Sequence, residues 1–250
     1  MAGHSKWANI RHRKGRQDAA RSKAFTRLAK EITIAARDGG GDVDSNPRLR
    51  LAVKMARSQS MPNDNIKRAI QKGTGEGGGA SVEEITFEGY APGGIAVIVE
   101  TMTDNRKRTI ADVRATFSKA GGNLGENGSV MWNFERKGTI LLKTNGKSED
   151  DLMEIVLESS AEDLQYGDEV SKVICAMEDY GAVTSWFDEN GFDMEESQLE
   201  YIPKEVPTID DLEHAKSVMK FIDKMEEVDD VQNVFVNFEI DESIEKELSE

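Results

Sequence analysis

One cysteine, Cys175, and three histidines, His4, His12 and His214, are all the thiol and imidazole that 250 residues provide. A lone cysteine excludes an internal disulfide and fits a reducing compartment, and so few histidines leave little for a zinc site. No apolar run approaches 18 residues, and the opening MAGHSKWANIRHRKG lacks the apolar stretch of a secretory signal. No membrane contact is expected, and the expected location is the cytoplasm.

Catalytic groupings are missing too. The acid runs Glu149-Asp150-Asp151, Glu195-Glu196, Glu226-Glu227 and Asp229-Asp230 lack the alternating spacing of a calcium loop and read as helix starts and turns. The stretch from Gly73 to Gly79 does not match the GxxxxGK[ST] pattern of a phosphate loop, and no strand precedes it, so it reads as a linker. Cys175, inside VSKVICAMED, reads as a small buried hydrophobe. No nucleophile stands beside a base. Catalytic residues, metal and cofactor are therefore expected to be absent, and a metal-dependent hydrolase is the least favoured class.

What is present is charge, unevenly placed. Residues 1–72 hold 17 Lys and Arg against 6 Asp and Glu, or +11, whereas residues 73–250 hold 15 against 41, or −26. Salt screens exposed charges beyond about 8–10 Å, so the acidic part cannot cancel the field of the basic part. The basic part should meet a polyanion.

From Asp18 to Arg37, Phe25, Leu28, Ala29, Ile32 and Ala36 recur at helical spacing, and Gly39-Gly40-Gly41 stops the helix. Ser45-Asn46-Pro47 is a helix start with Leu49, Val53 and Ala56 inside. A third helix after Met61-Pro62-Asn63-Asp64 buries Ile66, Ala69 and Ile70 and faces Lys67, Arg68 and Lys72 outward. Beyond the linker, strands are expected at 85–90, 94–103, 128–134, 138–144, 172–177, 198–202 and 231–240, with a hairpin at Pro92-Gly93-Gly94. Helices are expected at 108–120, 149–164, 183–190 and 209–227. This order suggests an α+β multidomain chain. Residues 1–79 form a basic three-helix domain with its linker, 80–134 and 206–250 a discontinuous α+β domain, and 135–205 an inserted acidic α+β domain. Both of the latter are ferredoxin-like sandwiches.

Two basic stretches are the candidate sites. In residues 3–16, Lys6, Arg11, Arg13, Lys14 and Arg16 occur with no acid until Asp18, and Trp7 either packs or stacks on an unpaired base. The second is Arg106-Lys107-Arg108, between strand and helix, where Asp104 or Thr109 would cap the helix; its cations either collect phosphate or, as the residues alone favour, sit on a surface loop and pair with neighbouring acids.

Several motifs together resemble the YebC/PmpR family: GHSKWANIRHRK at 3–14, the Arg-Asp-Gly-Gly turn at 37–40, Asn46-Pro47-Arg48-Leu49-Arg50, MPNDNI at 61–66, EGYAPGG at 88–94, TDNRKRT at 103–109, GGNLGENGSVMW at 121–132 and DDVQNVFVNF at 229–238. The resemblance covers most of the chain. It implies a helical N-terminal domain and two α+β domains, one inserted in the other. It also implies a transcriptional regulator that binds DNA, although some members act in translation, at ribosomes stalled on difficult peptide sequences. Mitochondrial translational activators are related, but the lack of an N-terminal extension looks bacterial. Ala91 stands where the family commonly has glycine, which questions the conformation of that turn.

The expected nucleic-acid contacts are thus His4, Ser5, Lys6, Trp7, Arg11, Arg13, Lys14, Arg16, Lys23 and Arg27, with Arg106, Lys107 and Arg108 as a second contact. The partner would be DNA, or ribosomal RNA on the ribosome. The acidic domains would orient the basic face and meet a protein partner, and the chain is expected to be monomeric.

Overall fold

The computed structural model describes residues 17–76 and 82–249. Helix α1 (Gln17–Gly39) ends where Gly40 takes φ +86° and returns its N–H to the Ala36 carbonyl at 3.0 Å. Asn46 begins α2 (Pro47–Ser58): its side chain accepts from the Leu49 N–H and donates to the carbonyls of Ala35 and Gly40, both at 2.8 Å. That buried amide fixes the α1–α2 corner as well as capping the helix. Helix α3 (Asn63–Gly73) completes the bundle, whose core joins Ile32, Ala36, Leu49, Val53, Ile66 and Ala69.

Gly73 is where α3 comes closest to α1. A Cβ there would lie 2.2 Å from the Thr33 carbonyl oxygen and 2.8 Å from the Ala36 Cβ. Because the first obstacle is backbone, Gly73→Ala is expected to cost about 1–3 kcal/mol despite alanine's better helix propensity, measurable by denaturant unfolding.

Strands β1 (Glu83–Tyr90) and β2 (Ala96–Thr103) form an antiparallel hairpin closed by Gly93 and Gly94, both at positive φ. Ala91 sits at φ −75°, ψ 173°, open to any residue, so alanine leaves this turn unaltered. The sheet order is β3-β1-β2-β9, with β3 at Asn123–Leu124 and β9 at Val231–Val236. Helices α4 (Arg106–Lys119) and α7 (Leu212–Glu226) pack through Phe117 and Phe221, edge to face at 5.1 Å.

A second sheet, order β5-β6-β4-β7, is built from Asp163–Gln165, Val170–Ala176, Phe134–Lys143 and Met194–Pro203. Helices α5 (Glu149–Glu158) and α6 (Tyr180–Glu189) supply Leu152, Val156, Val183 and Phe187 to its core. The two sheets meet through Tyr201 and Phe235, ring centroids 5.5 Å apart, and through Ala96, Ile98, Val130 and Phe134. Strand β2 is therefore covered on both faces, which is why GIAVIVETMT is apolar without alternation. The order is α+β, with a helical region followed by two sheet units.

Several elements differ from the sequence expectation. Residues 128–133 form a turn ending in a short 3-10 helix, Met131–Asn133, because the Glu88 carboxylate accepts the N–H groups of Gly128, Val130 and Met131 at 2.6, 2.9 and 2.8 Å. Helix α5 stops at Glu158: Ser160 turns to φ +64°, and β5 joins the sheet. Strand β9 ends at Val236, and the Asn237 side chain accepts the Ala96 N–H at 2.7 Å. Ile209 belongs to β8 (Thr208–Ile209), paired in parallel with β10 (Glu239–Ile240), and Asp211 caps α7. A final helix, α8 (Glu242–Ser249), was not anticipated.

Candidate nucleic-acid interface

The bundle is amphipathic on more than one side. Opposite its bundle stripe, α1 buries Ile34 against Val82, just before β1, and Met102 of β2. Around that contact, Arg37 donates to the Val82 carbonyl, and Arg48 joins Glu31 (2.7 Å), Glu84 (3.1 Å) and Asp38 (3.4 Å). Lys54 of α2 pairs with Asp188 of α6. Direct packing, not the length of the glycine-rich stretch, sets the distance between the bundle and the sheets.

Asp230, just before β9, is the centre of this junction. Its carboxylate is almost fully buried and accepts from Arg108 Nη2 (2.8 Å), Thr109 Oγ1 (2.8 Å), Thr103 Oγ1 (3.3 Å) and Lys30 Nζ (3.1 Å). Lys30 also donates to the Asp229 carbonyl at 3.0 Å. Burial works to raise the Asp230 carboxyl, but the bonds from Arg108, Thr109 and Lys30 outweigh it and hold the group below its ordinary value. One carboxylate thus joins α1, α4 and β9.

Helix α4 starts two residues earlier than expected, with Asn105 as its cap, accepting from the Arg108 N–H at 3.2 Å. Arg106, Lys107 and Arg108 are therefore its first turn. Cations there oppose the helix dipole, and the place calls for an anion. Asp230 is that anion, supplied from within the chain. Arg106 pairs with Glu83 at 3.2 Å, and Arg108 also reaches Asp104. Lys107 is exposed and makes no ion pair among the described residues.

Of the other candidates, Lys23 and Arg27 lie on α1, Arg27 half-buried. His4, Ser5, Lys6, Trp7, Arg11, Arg13, Lys14 and Arg16 lie outside the described residues. Sequence reasoning missed Asp230, read only as part of an acidic turn, and Glu88. The signal for each was indirect: hydroxyls at Thr103 and Thr109 flanking a basic run, and a glutamate opening the EGYAPGG segment.

Among the described residues, no three His, Cys, Asp or Glu side chains gather in a metal-holding cluster, and no helix is long and apolar enough to cross a membrane. Cys175 is buried beside the Gly138 carbonyl, and burial pushes its thiol up to about 11.

Two family models match the chain, one described as the TACO1/YebC protein N-terminal domain over residues 5–76 and the other as the TACO1/YebC second and third domain over residues 82–238. A protein of Syntrophotalea carbinolica named "Probable transcriptional regulatory protein" is 54% identical over 240 residues, 96% of each chain. One of the same name from Chlorobaculum tepidum is 50% identical over 251 residues and covers both chains fully. The crystal structure of a conserved hypothetical protein from Aquifex aeolicus superposes with a TM-score of 0.85 at 45% identity, covering 91% of this chain and 94% of that one.

Proposed function

This chain belongs to the TACO1/YebC family, and on that premise we propose that it is a non-enzymatic, DNA-binding regulator of transcription acting in the cytoplasm. The observation that carries the reading is the +11 charge of residues 1–72, attached to a body of −26. A chain so divided approaches a polyanion by one end. The names of its relatives support regulation as the role.

In this reading Lys6, Arg11, Arg13, Lys14 and Arg16 neutralise phosphates, helped by His4, Ser5, Lys23 and Arg27, while Trp7 anchors the segment or stacks. In the second patch Lys107 is the member with charge to spare. The acidic sheet units turn away from nucleic acid and meet a protein partner, and the protein works as a monomer.

Crosslinking the protein to nucleic acid in cells and sequencing the recovered fragments tests this directly. Promoter DNA is the expected yield; ribosomal RNA would overturn the transcriptional reading in favour of translation. In vitro, replacing Arg11, Arg13 and Lys14 together by alanine is expected to weaken binding and lower the slope of log affinity against log salt by about 2–3, near 0.9 per lost phosphate contact. Titrations at several salt concentrations measure it.

A further inference from the structure

The ion pairs sort the cations of the bundle into two groups. Lys30, Arg37, Arg48 and Lys54 are each held by a carboxylate of this chain. Such a cation attracts an external phosphate weakly, because a new pair forms only by breaking an old one. Of the rest, Arg50 donates to the Val43 and Asp44 carbonyls, Arg57 on α2 is exposed without an ion pair among the described residues, and on α3 Lys67, Arg68 and Lys72 are likewise exposed and unpaired.

Their placement follows from how α3 is packed. Ile66 and Ala69 are buried and Ile70 half-buried, all on the side facing the bundle core. At 100° per residue, Lys67, Arg68 and Lys72 fall within an arc of about 140° on the opposite side, spread over roughly 7.5 Å of helix axis. No acid occurs from Asn65 to Gly75, whereas a merely solvated helix face commonly mixes both signs. The face is rigid: Thr33 Oγ1 donates to the Ala69 carbonyl at 3.2 Å, and Gly73 admits α1 at close range.

We infer that this outward face of α3 is a phosphate-contacting surface for nucleic acid, with Lys67, Arg68 and Lys72 as its contacting groups. The inference rests on the nucleic-acid reading above and adds a surface to it. Residues 67–72 contain no aromatic side chain, so the face grips backbone without stacking on bases and is indifferent to sequence. It presents the duplex to whatever reads the bases.

The test uses the full chain carrying Lys67→Gln, Arg68→Gln and Lys72→Gln together. Fluorescence anisotropy follows binding to two unrelated 30-base-pair DNA duplexes and to a single-stranded RNA of equal length, from about 50 to 300 mM KCl. On duplex DNA the salt slope should fall by about 2–3, and affinity near 150 mM should drop about tenfold or more, by the same factor for both sequences. A change confined to the RNA, near 0.7 per contact, would assign the same face to RNA backbone.

A charge-preserving variant, Lys67→Arg, Arg68→Lys and Lys72→Arg, should keep the wild-type slope; if it also lost binding, a packing defect would replace the inference. An unchanged slope in the glutamine variant, with loss in the Arg11, Arg13 and Lys14 variant, would remove α3 and leave the nucleic-acid reading standing. A wild-type protein that binds neither probe would overturn both.

Discussion

Replacing Glu88 by alanine is expected to destabilise the protein by about 3–5 kcal/mol and to release the turn at 126–133. The glutamate is buried and accepts three backbone N–H groups, those of Gly128, Val130 and Met131. A buried donor without an acceptor costs about 1–3 kcal/mol, and three are orphaned together here, two of them partly within reach of water. Glu88→Gln keeps one acceptor oxygen but turns an NH2 toward donors, so about 2 kcal/mol is expected. Trp132 reports the event: its indole N–H donates to the Ser129 carbonyl at 3.0 Å while the residue is 63% exposed. Loss of the turn frees that ring, so the protein's tryptophan anisotropy, to which Trp7 and Trp186 also contribute, should fall. Denaturant unfolding measures the energy, and wild-type stability in the alanine variant would refute the role.

Replacing Asp230 is the second large effect. Asp230→Ala takes the shared acceptor from Arg108, Lys30, Thr103 and Thr109. Losing one partner of a fully buried ion pair costs about 3–5 kcal/mol. Here Arg108 is 47% exposed and recovers some hydration, whereas Lys30 is only 19% exposed, so about 3 kcal/mol is expected. Asp230→Asn keeps the shape and loses the charge, and about half that loss should follow.

The acid dependence has a definite sign. The folded carboxyl lies below its unfolded value of about 3.9, so its contribution is complete above that value and disappears as pH falls through the folded one. The stability difference between wild type and Asp230→Asn should therefore be flat near neutrality, shrink below about pH 4 and close at still lower pH. Urea titrations across that range measure it, and a gap that widens with acid would contradict the assignment. Glu88 is also lowered, because its three N–H bonds outweigh burial, and behaves with the same sign.

These two carboxylates mark the boundary of what sequence alone reveals. The bundle was legible because Phe25, Leu28, Ile32 and Ala36 keep a helical period and Asn46-Pro47 is a local start signal. Strand β2 was legible from its unbroken apolar run. The turn at 128–133 was not: its β-rich composition was overruled by a carboxylate 40 residues away. Ile34 lay off the predicted stripe because α1 has a second buried face. The candidate site divides in the same way. Cations can be counted from sequence, but Lys30 finds its acid 200 residues on and Arg108 finds the same acid 122 residues on. The acid-free run from Asn65 to Gly75 hints locally at Lys67, Arg68 and Lys72, but no local pattern shows that Lys30 and Arg108 are neutralised.

The joining of β9 to β2 also sets an order of events during synthesis. Between Thr103 and Val231 the ribosome adds 128 residues, which at about 5–20 residues per second takes roughly 6 to 26 s. Through that interval the edge of β2 stands open, while β4 to β7 are being made and begin to assemble their own sheet. Asp230 arrives immediately before β9, so Lys30 and Arg108 gain their shared anion at the moment the first sheet is completed. The nascent helical region thus stays more cationic than it is in the finished protein until the last tenth of the chain is being made.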